Sequence, residues 1–592
     1  MRSSPGFCAA LAAYSVVGTA VGQNFTASVT LSLEDYWSLY VGPIEQASIN
    51  TTVEATPVPT ESLIPPPGLY YPPFPTGHEA PLQAKNESWA FPKDFKFGVS
   101  SAAYQVEGAA KDEGKGPSIW DVLSHRVPGY ITTNETGDIA NNQYYLYKQA
   151  VTHENKTARK FESLWASEVI VEYRNFKKDI ARIAAMGVKV YSFSISWARI
   201  FPFGSGQVNE QGLAHYQDVI DTCLEYGVEP AITLFHWDLP LALQNSYGGL
   251  LSPKFIPDFL EYARTIFTRF GDKVDHFITF NEPTVVCGFY PLPEGYFKAS
   301  NIPKQQQPYY CGQNLLIAHS QAYHLAKSLN LTAQITLKLN GGYKIPLTNS
   351  TADLEAVQRA WDWNEGLWAK PIFLDGDYPT SVKSYVSKFL PELTAEQKAA
   401  LNGSADLFAH DAYTSHFYSA PDTGTDACVA NSSHPLFPKC VNETWAYPAA
   451  SGGWALGPAA DPLVPWLHKA TEWVPALMRY IQDTWKPRGG ILVTEFGFAE
   501  PFEAQKTLLP DILLDQQRSA YFKGFMEGLL IAIAEGTNVV GALAWSLIDN
   551  LEWTSGNSVK FGLQYVNYTT QERYYKASFF HFADVFKKYH EQ

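Results

Sequence analysis

Two apolar runs in this chain of 592 residues each end in a glutamate. In "HFITFNEP", Phe277, Ile278 and Phe280 read as a buried strand that finishes in Asn281, Glu282 and Pro283. In "ILVTEFG" a similar run finishes at Glu495. One glutamate at a strand end is ordinarily a surface or ion-pair residue. Two in matching places, with amides and indoles at neighbouring strand ends, form a constellation. Two carboxyl groups facing each other across a bond can cleave a glycoside: one protonates the leaving oxygen, and the other attacks the anomeric carbon or activates water. Amides and carboxylates hydrogen-bond sugar hydroxyls in pairs, and indole faces stack on the apolar face of a sugar ring.

The elements that must position these groups are legible as eight short apolar runs: 95–104, 188–196, 229–237, 275–283, 333–340, 407–415, 491–497 and 539–550. Amphipathic stretches lie between them. In "NEQGLAHYQDVIDTCLEYG", Leu213, Tyr216, Val219, Ile220, Cys223 and Leu224 recur at helical spacing, and the stretch ends at Gly. Eight buried strands alternating with helices predict a parallel α/β architecture, and the count of eight predicts a closed (β/α)8 TIM barrel. No G-x-G-x-x-G follows the first run, which argues against a dinucleotide fold. In such barrels chemistry sits at the C-terminal strand ends. Those ends carry Gln105, His236-Trp237-Asp238, Asn281-Glu282, Asp411 and Tyr413, Glu495 and Trp545. Simpler readings stand beside this one. His236 alone is equally a satisfied core imidazole, Glu107 a partner for a nearby lysine, and Trp120, Trp197 and Trp237 barrel packing. Residues 416–470 are too long for an ordinary barrel connection and are expected to fold over the mouth.

Composition excludes other classes. With 46% hydrophobic and 17% charged residues the chain is globular, and its formal net charge of −15 without a basic stripe argues against nucleic acid. No apolar stretch is long enough for a membrane span. Residues 1–22 read as a secretory signal, with Arg2 before an apolar segment from Phe7 to Val21. Eleven N-x-[ST] sequons from Asn24 to Asn567 fit a glycosylated, extracellular chain. Residues 23–88 are proline-rich and read as an extended surface arm or partly disordered lead-in, before a single unit over 89–592. Cys428 with Cys440 is the first choice for a disulfide and Cys287 with Cys311 the second. Cys223 reads as a buried thiol. No spacing suggests a zinc site.

Across residues 89–590 the sequence resembles glycoside hydrolase family 1, the retaining β-glucosidases, and is most similar to secreted fungal members. "FKFGVSSAAYQVEGA", "DEGKGPSIWD", "FHWDLP", "TFNEP", "VTEFG", "WSLIDNLEW" and "KFGLQYVNY" carry the resemblance in order. It implies that Glu282 is the acid/base and Glu495 the nucleophile. Gln105, His236, Asn281, Glu552 and Trp553 would hold hydroxyls of the first sugar, Trp545 would be its stacking platform, Tyr413 would donate to the nucleophile, and Phe561 would line the floor. The implied substrates are small β-glucosides or cello-oligosaccharides, with no cofactor or metal. β-Galactosides or β-fucosides, transglycosylation, and a binding protein with weak catalysis are the alternatives. The sequence also departs from the family pattern. Ser192 stands where members carry Arg, Asp411 where they carry Asn, and Phe496 follows the nucleophile where they carry Asn. These three changes are expected to lie close to Glu495. With the arginine lost and an acid gained, the acid limb of the kcat/KM profile is expected at higher pH than in members with the arginine, and Asp411→Asn is expected to lower it.

Overall fold

In the computed structural model, which describes residues 19–20, 23–24, 31–47, 89–147, 179–449 and 452–590, each apolar run forms a parallel strand. They are β1 (Lys96–Ser100), β2 (Val190–Ser194), β3 (Glu229–Phe235), β4 (His276–Asn281), β5 (Gln334–Asn340), β6 (Phe408–Asp411), β7 (Ile491–Glu495) and β8 (Val539–Trp545). Each pairs with its sequence neighbours, and β8 closes on β1, giving a (β/α)8 barrel. Several strands stop short of their runs: β3 ends just before His236 and β4 just before Glu282, and both of these residues line the cavity described below. β4 stops where Glu282 turns to φ 43° and Pro283 has no N–H to offer.

Period-two alternation sends one set of side chains outward and the other into the lumen. Val190, Ala231, Leu407, Ala409, Leu492 and Leu543 pack as a plug inside the barrel. Two residues beyond Val190, Ala409 and Leu492 come Ser192, Asp411 and Thr494, so the polar layer follows directly on the apolar one. Outside, helix Glu210–Glu225 buries Leu213, Tyr216, Val219, Ile220 and Cys223 but leaves Leu224, expected on the same stripe, exposed beside the helix end, and helix Phe255–Phe270 buries Phe255, Phe259, Tyr262 and Phe267.

Residues 416–470 do fold over the mouth. His416–Ser419 is the centre of a three-stranded sheet with Asn442–Thr444 and Lys344–Pro346. Cys428–Cys440 ties this cover, and Cys287–Cys311 ties helix Pro283–Gly288 to helix Gln307–Ser328. Cys223 is a buried free thiol. Among the described residues no helix is long and apolar enough to cross a membrane. The signal assigned to 1–22 falls mostly outside the described residues, as do 48–88 and 148–178.

The expectation of a featureless arm over 23–88 needs correction. Leu33–Tyr40 is a helix, begun by a capping box in which Ser32 and Asp35 satisfy each other's backbone N–H groups. It buries Tyr36 and Trp37 against Val122, Leu241 and Ala242, and the Trp37 indole donates to the Lys115 carbonyl at 2.9 Å. The signal was the S-x-x-D box followed by aromatics at helical spacing, masked by the proline-rich surroundings. Trp37→Ala is expected to cost about 3–5 kcal/mol of packing. Hydrogen exchange over 33–41 should accelerate and the thermal midpoint should fall, while KM stays unchanged.

Candidate active site

The strand ends converge on one cavity of about 560 Å³, lined by His236, Asn281, Glu282, Tyr413, Glu495, Trp545, Glu552, Trp553 and Phe561 among others. Gln105 does not line it. Gln105 lies behind the wall, donating to the Leu551 carbonyl at 2.9 Å and to Glu552 at 3.4 Å. Trp120 and Trp237, expected to be packing only, are buried yet line the cavity. They do so because both rings pack on Trp553, with centroids 4.5 Å apart in each pair. Trp197 is core, as expected. Glu107 is an ion-pair residue, but its partner is Arg199.

Local backbone irregularities aim the carboxyls. Glu282 is held in the left-handed region at φ 43°, and its N–H donates to the Lys338 carbonyl at 3.1 Å. A non-glycine residue in that region is strained and persists only where its surroundings fix it. The β6–β7 register shifts between Val493 and Glu495. The shift lets consecutive side chains serve the same end of the lumen: Thr494 donates to Asp411 at 2.6 Å, and Glu495 faces its own donors. Tyr413 donates to one Glu495 oxygen at 2.9 Å. Lys338, from β5, donates to the other at 2.8 Å, with both side chains buried.

Lys338 overturns the expectation that the nucleophile position lacks a cation. Ser192 is buried, and its hydroxyl has no partner. Asp411 is close, with oxygens of Glu282, Asp411 and Glu495 all within 4.8 Å of one another. Phe496 is not part of this group. It is fully buried and stacks on Phe525 of helix Gln516–Ala534, with ring centroids 4.3 Å apart, because the residue after Glu495 faces the outer layer. The sequence signal for Lys338 was "ITLKLN", where a lysine interrupts a buried strand.

Burial sets the protonation states, and neighbouring charge adjusts them. Burial, then the negative charge of Asp411 and Glu495, holds the Glu282 carboxyl well above the usual range, against the opposing pull of Lys338. Asp411 is likewise raised by burial and by Glu495. Glu552 is pushed up to about 8 by burial and by Glu495, although the Trp545 indole and Gln105 donate to it. Burial keeps His236 neutral at ordinary pH. Burial opposes the charge on Lys338, but Glu495 and Asp411 more than offset it, and its pKa lies above the ordinary lysine value. The arrangement sets a carboxyl that burial keeps protonated beside a second carboxyl that accepts from two donors. Of the residues lining the cavity, His236 Nδ1 and Asn281 Oδ1 are buried without a protein partner. A polyhydroxylated ligand supplies what such atoms require.

A family model described as glycosyl hydrolase family 1 matches residues 87–160 and 152–591. The chain belongs to glycosyl hydrolase family 1. Among family 1 relatives, "Beta-glucosidase 34" of Oryza sativa subsp. japonica is 35% identical over 514 residues, covering 83% of this chain and 91% of the relative. A β-glucosidase structure from Trichoderma harzianum superposes with a TM-score of 0.73 at 33% identity, covering 85% of this chain and 99% of that one. A rice β-glucosidase mutant, solved in a covalent complex with Glc, gives 0.73 at 31% identity over 85% of this chain and 100% of that one. These family 1 matches make the protein a glycosidase of the β-glucosidase type on a (β/α)8 barrel.

Trp545 is only 3% exposed and also belongs to the main core cluster. Truncation to alanine would therefore open a cavity as well as remove the expected platform, and Trp545→Phe is the cleaner test. A stacked ring pair contributes about 0.5–1.5 kcal/mol. Steady-state kinetics on an aryl β-glucoside should show kcat/KM falling by roughly 2- to 12-fold, with the thermal midpoint close to wild type.

Proposed function

We propose that the protein is a secreted retaining exo-β-glycosidase that removes terminal non-reducing β-D-glucosyl residues in two displacement steps. The observation that carries this reading is the pair Glu282 and Glu495, whose carboxyl oxygens come within 4.8 Å. Retaining enzymes hold their carboxyls about 5–5.5 Å apart, and inverting enzymes need about 6.5–9.5 Å to admit a water. Glu282 enters as the acid and gives its proton to the leaving oxygen. Glu495 forms a bond to the anomeric carbon as the bond to the leaving group breaks. Water then enters, Glu282 takes its proton, and the Glu495 ester is displaced with a second inversion. The covalent Glc complex of the rice relative supports the same route.

Exo action is the reading that fits a cavity whose wall joins Glu552, Trp545 and Phe561 to the carboxyl pair. Asn281, next to Glu282, would hold the 2-hydroxyl. Asn364, His416 and Glu443, which also line the cavity, offer hydrogen bonds to a hydroxylated aglycone such as a second sugar. Passage through an oxidising compartment is supported by the two disulfides. It is further supported by sequon asparagines at the surface: Asn134, Asn330, Asn349, Asn402 and Asn431 are exposed. Proton NMR of the first product decides the mechanism. β-Glucose as the first anomer released from an aryl β-glucoside is expected, and α-glucose would sink the reading.

A further inference from the structure

Three carboxyl groups share one buried end of the barrel, and all three cannot be ionised there without a cation. Lys338 supplies one. It lies on β5 with Thr336 and Asn340 on its face, while Ile335, Leu337 and Leu339 pack with the outer core. The ammonium donates to Glu495 Oε1 at 2.8 Å, and the backbone carbonyl of the same residue accepts from Glu282 N–H at 3.1 Å. One residue therefore ties the nucleophile position to the acid position. Lys344, which lines the cavity, is engaged with Glu365 at 2.7 Å.

Ser192 lies across the lumen. β2 and β5 are three places apart in the ring of eight strands, so a long side chain from either enters the same space from nearly opposite sides. With serine on β2 and lysine on β5, Lys338 brings a cation into that space from the opposite wall. We propose that Lys338 is the positioning residue that keeps Glu495 ionised and aimed, filling from β5 the role that an arginine at 192 would fill from β2. This inference rests on the retaining reading of Glu282 and Glu495.

The charge balance of the two steps explains why the cation is placed between them. Before the first step Glu495 carries the negative charge and Glu282 the proton. As the C1–Oε bond forms and the bond from C1 to the leaving oxygen breaks, that proton passes to the leaving oxygen. Glu495 is then a neutral ester and Glu282 the carboxylate. The negative charge has moved between two groups that both interact with Lys338, and the cation faces it in either state. Hydrolysis of the ester returns the charge to Glu495 and the proton to Glu282.

The test compares wild type, Lys338→Met and the double variant Lys338→Met/Ser192→Arg, using the pH profile of kcat/KM on an aryl β-glucoside. The groups facing Glu495 that titrate or carry charge are Lys338 on β5, Asp411 on β6, Tyr413 after β6, Glu282 after β4, and Glu552 after β8. His236 after β3 interacts with Lys338. Only the lysine is exchanged, so a displaced acid limb reports the lost cation. An opposite charge within about 4–6 Å shifts a carboxyl by roughly 1–3 units. The acid limb of Lys338→Met should therefore move up by about 1–3 pH units, with a loss of roughly 10- to 1000-fold below it. The double variant should return the limb to its wild-type position. A limb in Lys338→Met that coincides with wild type overturns the proposal, and so does one that stays displaced in the double variant. If Lys338→Met does not fold, the double variant decides: folded protein with the wild-type limb upholds the proposal, and any other result overturns it. Failure of the underlying reading shows separately, as wild-type protein that is inactive on β-glucosides or releases α-glucose first.

Discussion

Glu495→Ala is expected to abolish turnover of every β-glucoside, whatever its leaving group, by on the order of 10⁴-fold or more in kcat/KM. The loss should not depend on leaving-group quality, because without a nucleophile the first step has no partner for the anomeric carbon. The site left behind should still act on a small anion. Lys338 and Tyr413, which donate to the two Glu495 oxygens at 2.8 and 2.9 Å, remain as donors beside the space the carboxylate occupied. Azide admitted there should attack an activated aryl β-glucoside from the face opposite the leaving group and give the α-glucosyl azide. The checks are kcat/KM with and without azide and NMR of the azide adduct. Appreciable turnover without azide, or a β-glucosyl azide, would remove Glu495 from the nucleophile's place.

Much of this site was legible in the sequence because strand periodicity and strand ends are local properties. The eight runs place β1 to β8, and Glu282 and Glu495 stand out because carboxylates end strands built for burial. What was not legible is which wall of the barrel supplies a given charge. Lys338 sits in a run that reads correctly as a strand, but its partner lies 157 residues away in sequence. β5 and β7 come together only because β6 pairs with both of them. The loss at Ser192 was visible, and its compensation was not, because the two positions belong to strands that never pair. Phe496 shows the converse error. It is next to Glu495 in sequence, yet the backbone directs it into the helix layer against Phe525. The helix at Leu33–Tyr40 was missed for a compositional reason: prolines on its C-terminal side outweighed a capping box and two aromatics that need a docking surface to matter.

Glu282→Ala should give the opposite kinetic pattern to Glu495→Ala. A general acid contributes about 10²–10⁴-fold where the leaving group needs a proton. Cellobiose and alkyl glucosides should lose activity by about that factor in kcat/KM. A dinitrophenyl glucoside, whose departing oxygen is already stable as an anion, should keep kcat/KM near wild type. Its kcat should still fall, because the second step uses Glu282 as the base that takes the proton from water. Azide needs no such base, so it should restore kcat for the activated substrate and give the β-glucosyl azide. The pH dependence follows from the same residue. Burial, with Asp411 and Glu495 adding, holds the Glu282 carboxyl well above the usual range, so wild type keeps its acid protonated to unusually high pH. As pH rises through that value the proton is lost and kcat/KM for unactivated glucosides falls, which makes Glu282 the source of the basic limb. Removing the side chain should therefore remove that limb from the profile as well as lower the rate. Equal losses across leaving groups, or a basic limb that survives the substitution, would show that another group donates the proton.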